Sequence, residues 1–128
     1  MRVTSPSKFP SAFAAAFSSG DITAVMALYC ADAVLVNTTG EELRGTEAIA
    51  NYLQWHLVKK LTMRISPHSL VIQSDIALLN NKFEVLDGHS VLFSGDSMEV
   101  LRRDADGGWR LLIDQPNSKQ MPASPHFG

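Results

Sequence analysis

The apolar residues of this chain change their spacing at Leu61. Before this point they recur every three or four residues, which is the period of an amphipathic helix. From Leu61 onward, Leu61, Met63 and Ile65 alternate with polar neighbours, which is the period of a half-buried strand. Helices in the first half of a chain and strands in the second predict an α+β fold, with three N-terminal helices packed on a strongly curved antiparallel sheet.

The first half is expected to form three helices and one short strand. The helices are predicted over about residues 10–18, from residue 22 to about residue 29, and from Thr46, as N-cap, to about residue 59. One face of the first helix carries Phe9, Phe13 and Phe17. The strand, residues 33–36, precedes a polar turn at residues 37–40, so that a strand, a loop and a capped helix form one wall of a pocket.

The second half is expected to form an antiparallel meander. Four strands are predicted, over about residues 61–72, 76–86, 90–103 and 109–115. Asp87-Gly88 is a strong hairpin signal, and Gly95 in mid-strand predicts a bulge or a bend. A sheet that curls in this way around one long helix encloses a conical cavity, which is a natural site for a small molecule.

Composition and charge limit the classes of partner. At 128 residues the chain is expected to be one domain, with a core over about residues 9–117 and a flexible tail over about residues 118–128. The net charge is -2 and Lys and Arg form no stripe, so we expect no nucleic acid partner. No apolar run reaches the roughly 20 residues of a membrane span, so we expect no membrane partner. Lys8 and Pro10 interrupt the apolar N-terminal stretch, so we expect a cytoplasmic protein without a secretory leader.

The sequence predicts neither a metal site nor a cofactor. No two histidines have the i, i+4 spacing of a helical metal site, and no cluster of cysteines and carboxylates replaces them. A Gly-x-Gly-x-x-Gly segment is also absent. The single cysteine, Cys30, is expected to be a small buried residue.

Four short motifs, taken in order, resemble the NTF2-like superfamily, which is also called cystatin-like or SnoaL-like. They are Gly20-Asp21 after the first helix, Asp32 before the first strand, Gly-x-x-Ala-Ile at residues 45–49, and Asp-Gly-x-Trp-Arg at residues 106–110. The likeness covers about residues 9–117 and is greatest to bacterial groups of unknown function under the ketosteroid-isomerase-like and DUF4440 headings. This resemblance implies a cone-shaped α+β fold and a homodimer packed through the outer face of the sheet.

The resemblance also allows the catalytic groups of the superfamily's ketosteroid isomerases to be compared with residues of this chain. Its ketosteroid isomerases use a carboxylate base near the end of the first strand, a phenol and a protonated carboxylic acid. The resemblance places Asn37 at the base position, Phe13 at the phenol position and Glu99 near the third position. An amide accepts no proton at neutral pH and a phenyl ring donates none. These residues argue against a steroid isomerase of that type.

Asp114 and His56 are the candidate catalytic residues. Regular alternation places Asp114 on the face of Arg110, opposite Trp109. If that face is inward, burial raises the pKa of Asp114, which can then act as a general acid or base. The alternative is a strand-end carboxylate paired with Arg110 or Arg102. His56 lies on the apolar side of the third helix, where a histidine is either a site residue or a satisfied core or rim residue.

Aromatic residues are expected to surround the cavity, although they could equally fill a core. Tyr29, Tyr52 and Trp55 each carry a polar group, so they are the better candidates to contact a ligand. The candidate ligand-binding residues are Phe13, Tyr29, Asn37, Tyr52, Trp55, Phe83 and Glu99.

Two classes of function remain open. The first is an enzyme or binding protein in which Asn37, His56 and Asp114 are the polar groups of an apolar pocket for an unidentified small molecule. The second is an interaction module whose cavity is filled by side chains and whose sheet forms a homodimer or holds another protein. An open cavity of several hundred Å³ favours the first class, and a closed core with a flat apolar sheet face favours the second.

Overall fold

The structure, a computed structural model, describes residues 2–127. The helices are α1 (Phe9–Ser19), α2 (Ile22–Met26) and α3 (Thr46–Leu57), and short 3-10 turns lie at Pro6–Lys8 and Pro125–Phe127. The strands are β1 (Tyr29–Val36), β2 (Glu42–Arg44), β3 (Thr62–Gln73), β4 (Ile76–Asp87), β5 (Ser90–Arg103) and β6 (Trp109–Gln115). Three helices packed on a curved sheet confirm the predicted α+β fold.

The six strands form one sheet in the order β2-β1-β6-β5-β4-β3. Strands β3 to β6 pair in antiparallel fashion, which confirms the predicted meander. The sequence did not predict where β1 lies in the sheet. In the structure β1 is parallel to β6, with Leu35 opposite Asp114. Strand β2 was also missed, and it pairs with the other side of β1. The sheet is therefore mixed, and its parallel pair brings the first strand of the chain beside the last.

Two predicted boundaries are wrong. The second helix ends at Met26, and Tyr29 lies in β1 opposite Leu111 of β6. Pairing with a strand about 80 residues away overrides the local helical pattern. Gly45, rather than Thr46, is the N-cap of α3, and its positive φ of 85° is a value that glycine adopts without strain.

Three strands each contain one extra residue that bends the sheet. The register places these bulges at His68 in β3, Leu92 in β5 and Leu112 in β6. No extra residue occurs at Gly95, where the sequence predicted a bulge or a bend, and Gly95 pairs regularly with Phe83. A Cβ atom at Gly95 would lie 2.9 Å from Cε1 of Phe83, so glycine lets this ring lie against the strand.

The helices cover the concave face of the sheet. Helix α1 packs against β3, and α3 packs against β1 and β2. The aromatic face predicted for α1 is buried, with Phe9, Phe13 and Phe17 in one core cluster. Cys30 is buried as predicted. Among the helices that the structure describes, none is long and apolar enough to span a membrane.

Residues 116–127 run along the surface from the end of β6. The backbone N–H and the Oγ of Ser118 both donate to the carbonyl oxygen of Asp96, at 2.9 and 2.8 Å. Further along, Nε2 of His126 lies 2.6 Å from Oε2 of Glu42. This segment therefore contacts β5 through Ser118 and β2 through His126.

Candidate functional site

An open cavity lies between the concave face of the sheet and helices α1 and α3. Its volume is about 420 Å³, which is within the range of small-molecule sites. The lining is mainly aromatic and aliphatic and comes from both layers. Seven of the predicted site residues contribute to it: Phe13, Tyr29, Tyr52, His56, Phe83, Glu99 and Asp114.

Asp114 faces the cavity because β6 contains an extra residue. Regular alternation predicts Asp114 and Trp109 on opposite faces, but the bulge at Leu112 reverses the alternation. Asp114 and Trp109 are both inward, with exposures of 5% and 4%. Ile113, which was predicted on the face of Trp109, is 42% exposed on the outer face. The predicted facing of this strand is therefore wrong beyond the bulge.

Asp114 does not form the arginine pair that was the alternative interpretation. Arg102 and Arg110 both bind other carboxylates, and they share Asp104 at 2.9 and 3.2 Å. Within the described residues no cationic side chain pairs with Asp114. Its burial therefore has to be offset by hydrogen bonding or by a shift of its pKa.

Asp114 and Glu99 lie opposite each other on the adjacent strands β6 and β5. The phenol of Tyr29 donates a hydrogen bond to Oδ2 of Asp114 at 2.6 Å. Burial raises the pKa of Asp114 to about 6, although the Tyr29 hydrogen bond opposes this shift. Burial and the nearby charge of Asp114 raise the pKa of Glu99 to about 8. At neutral pH this carboxyl pair therefore holds about one proton between its two members, and the hydrogen bond that Tyr29 donates to Asp114 favours the ionised form of Asp114.

Two buried polar residues beside the carboxyl pair were missed by the sequence analysis. Asn81 and Ser97 are opposite each other on β4 and β5, and both line the cavity. The Nδ2 atom of Asn81 donates to Oε1 of Glu99 at 3.3 Å. The sequence did contain a signal for Asn81, because it interrupts the inward-facing apolar alternation of Leu79 and Phe83.

His56 lies at the rim of the cavity among aromatic rings. The centroid of its ring is 5.4 Å from that of Tyr52 and 6.3 Å from that of Phe93. Burial lowers the pKa of His56 below its usual range, although the backbone of Tyr52 opposes part of this shift. The Nδ1 atom is buried and makes no hydrogen bond of good geometry with the described residues. A neutral imidazole at this place can accept a proton or a hydrogen bond.

Two predicted site residues lie outside the cavity. The Oδ1 atom of Asn37 accepts hydrogen bonds within its own loop, including the backbone N–H of Glu41 at 2.9 Å. Trp55 is 62% exposed on α3, with Nζ of Lys59 3.5 Å from its ring centroid. Thr38, the neighbour of Asn37, lines the cavity instead. The loop after β1 thus contributes to the cavity, but through a different side chain from the predicted one.

A second groove, of about 500 Å³, is polar and contains charges that are already paired. Arg64 binds Glu84 at 2.7 Å, and Lys82 lies 3.8 Å from Asp96. Within residues 2–127 no three metal-ligating side chains converge. The cavity with the carboxyl pair is therefore the candidate functional site.

Comparison with known proteins agrees with this architecture. Residues 11–111 match a protein-family model described as a SnoaL-like domain. Among curated proteins, none matches the sequence.

Several solved structures share the fold. A candidate calcium/calmodulin-dependent protein kinase type II association domain from Thiobacillus denitrificans has a TM-score of 0.77 at 19% identity, over 91% of this chain and 98% of that one. A ketosteroid isomerase-like protein from Erwinia carotovora atroseptica has a TM-score of 0.69 at 21% identity, over 85% and 89%. An NTF2-like protein with a cystatin-like fold from Novosphingobium aromaticivorans has a TM-score of 0.71 at 19% identity, over 84% and 75%. At these identities the likeness is one of fold.

The carboxyl pair predicts a fall in stability as the pH rises. In the unfolded chain Glu99 releases its proton near its ordinary pKa, whereas the folded chain keeps that proton until about pH 8. Because the folded state binds more protons between these values, the free energy of unfolding should fall there. Above about pH 6, where the pair retains one proton, the fall should be at most about 1.4 kcal/mol per pH unit. Urea denaturation between pH 6 and 9 measures this slope. Glu99→Gln should flatten it, and Glu47→Gln, at an exposed position, should not. An equal slope in all three proteins would contradict the assignment.

Removing the Tyr29 hydroxyl should raise the pKa of Asp114. The hydrogen bond from Tyr29 stabilises the ionised carboxylate, so Tyr29→Phe removes the interaction that opposes the effect of burial. Carboxyl ¹³C NMR titration measures the shift. Tyr52→Phe is the matched control, because it removes a hydroxyl from the same cavity without removing this hydrogen bond. Equal Asp114 titration in the native protein and Tyr29→Phe would show that the hydrogen bond does not control this carboxyl.

Proposed function

The chain belongs to the SnoaL-like domain family, and we propose that its cavity binds a small, largely apolar molecule on which the carboxyl pair performs acid–base chemistry. The observation that supports this most strongly is the pair Asp114 and Glu99 in an otherwise apolar open cavity. Buried carboxyl groups without a cation destabilise a fold, and perturbed carboxyl groups in a cleft are typical of functional sites.

The two carboxyl groups are suited to different roles. Ionised Asp114 can accept a proton, and neutral Glu99 can donate one or give a hydrogen bond to an oxygen that gains charge. The carboxyl pair therefore offers a proton acceptor and a proton donor on adjacent strands at neutral pH. His56, neutral at the rim, is a third group that could exchange protons with a bound molecule.

The arrangement of acid and base groups differs from that of the ketosteroid isomerases described in the sequence analysis. The end of β1 carries Asn37, whose side chain is occupied within its loop, so no base is available there. A phenol and a carboxylic acid are present, but they come from Tyr29 and Glu99 and surround Asp114. We therefore propose Asp114 on β6 as the base.

Binding in the cavity should be detectable as thermal stabilisation. A bicyclic probe such as 1-tetralone, at ten times its Kd, should stabilise the native protein by about 1.4 kcal/mol, or about 5 °C in Tm. Thr38→Trp, which fills the opening, should abolish this shift. Val58→Trp is the matched control, because Val58 is exposed and does not line the cavity. A shift that persists in Thr38→Trp would mean that the probe binds elsewhere.

The acid–base proposal predicts hydrogen exchange of a bound ketone. Asp114 would take a proton from the carbon beside the carbonyl group of 1-tetralone while Glu99 hydrogen-bonds to its oxygen, and return of a deuteron would complete the exchange. In D₂O, mass spectrometry should detect label above the rate without protein. Asp114→Asn should reduce the protein-dependent rate about 100-fold, whereas Glu47→Gln should retain it. Unchanged exchange in Asp114→Asn would contradict the proposal.

We also propose that the chain forms a homodimer through the outer face of the sheet, and an apolar row on that face supports this. The register aligns one apolar row across five strands: Val34, Val71, Leu78, Val100 and Ile113. Val71, Leu78 and Ile113 are at least 40% exposed. A continuous apolar row on a sheet face favours burial against another surface, and a second copy of this chain is the proposed occupant.

This proposal predicts a mass of twice the 14.0 kDa of the chain in analytical ultracentrifugation. Leu78→Arg places a charge within the row and should give monomers. Val58→Arg makes the same kind of change at an exposed apolar position, the C-cap of α3, and should leave the dimer intact. A monomeric native protein at 100 times the concentration used for thermal shifts would exclude this dimer.

A further inference from the structure

Asn81 is a buried amide at an inward position of β4. It lies between the inward residues Leu79 and Phe83, is 2% exposed and lines the cavity. A side chain with two polar ends at such a place normally has hydrogen-bond partners for both.

Only one end of this amide is satisfied by the protein. Nδ2 donates to Oε1 of Glu99 at 3.3 Å, whereas the buried Oδ1 has no partner among the described residues. Within residues 2–127 one other buried side-chain atom makes no hydrogen bond of good geometry, Nδ1 of His56, and the backbone of Tyr52 partly supports that imidazole. Both atoms belong to residues that line the same cavity. An unpaired buried polar atom is costly, so the open Oδ1 of Asn81 indicates that a bound molecule or water completes it.

The orientation of the amide determines which group is left open. With Nδ2 toward Glu99, the amide donates to a carboxyl oxygen that can accept in either protonation state of Glu99. In the reversed orientation a neutral Glu99 would have to donate its proton to Asn81, and it could then not donate that proton to a bound molecule, as the proposed function requires. The orientation in the structure is therefore compatible with both states, and it leaves an acceptor, Oδ1, open to the cavity.

We propose that Asn81 is a specificity-determining residue, whose Oδ1 accepts a hydrogen bond from a hydroxyl or N–H group on an otherwise apolar ring compound. The inference rests on the proposed function, because it requires that the cavity binds a ligand. Water can occupy this position in the free protein. A ligand without a donor displaces that water and leaves Oδ1 unpaired, so it binds less tightly than its hydroxylated analogue.

A pair of probes that differ only in the hydrogen-bond donor tests the inference. 2-Naphthol carries a hydroxyl donor, and 2-methoxynaphthalene has the same ring system with an acceptor only. Calorimetric titration of the native protein should give a Kd for 2-naphthol that is lower by about tenfold. Asn81→Leu, which keeps the size of the side chain and removes the acceptor, should reduce this preference to less than about threefold. If the leucine variant does not fold, the same two Kd values can be measured in Asn81→Val, because valine forms strands more readily than leucine.

Asn117→Leu is the matched control, because it removes an amide from the lining of the same cavity near the surface. It should retain the preference for 2-naphthol. Equal affinity of the native protein for the two probes would overturn the role of Asn81 while leaving binding in the cavity established. A preference that survives in folded Asn81→Leu or Asn81→Val would assign the hydroxyl to another group and overturn the inference. Failure of the native protein to bind either probe, or 1-tetralone, would count against the proposed function itself and the inference with it.

Discussion

The site depends on one extra residue in the last strand. Without the bulge at Leu112, strict alternation would turn Asp114 to the outer face and Ile113 into the cavity. With it, Asp114 faces Glu99 on one side and lies opposite Leu35 of β1 on the other. The same bulge turns Ile113 into the apolar row of the outer face. One local irregularity therefore sets the polarity of both surfaces of the sheet.

The carboxyl pair is a cost to the fold that the surrounding structure limits. Asp114 has the hydrogen bond of Tyr29 to support its charge, and Glu99 has the amide of Asn81 and keeps its proton. These contacts reduce the cost of burial but do not remove it, since both pKa values stay raised. Residues that break the usual rule for buried charge, inside an open apolar cavity, are typical of sites selected for function over stability.

The two function classes left open by the sequence are not mutually exclusive in this structure. The concave face has an open cavity with the carboxyl pair at Glu99 and Asp114, as a binding protein requires. The convex face has an apolar row around Leu78, as an interaction surface requires. Alternation along the strands separates the two faces, so a ligand and a second subunit can be accommodated at once.

The sequence alone determined the three helices and five of the six strands, in their order, because helical and strand periods, the Gly20-Asp21 break and the Asp87-Gly88 turn are local signals. Most of the site residues that it named do line the cavity, since aromatic side chains on two packed layers are brought together when the layers pack. Only the tertiary structure decided which polar groups meet. The bulge at Leu112 and the parallel pairing of β1 with β6 depend on contacts between distant segments, which no local window contains. Tyr29 and Asp114 are 85 residues apart in sequence, and it is this pairing that brings them to 2.6 Å.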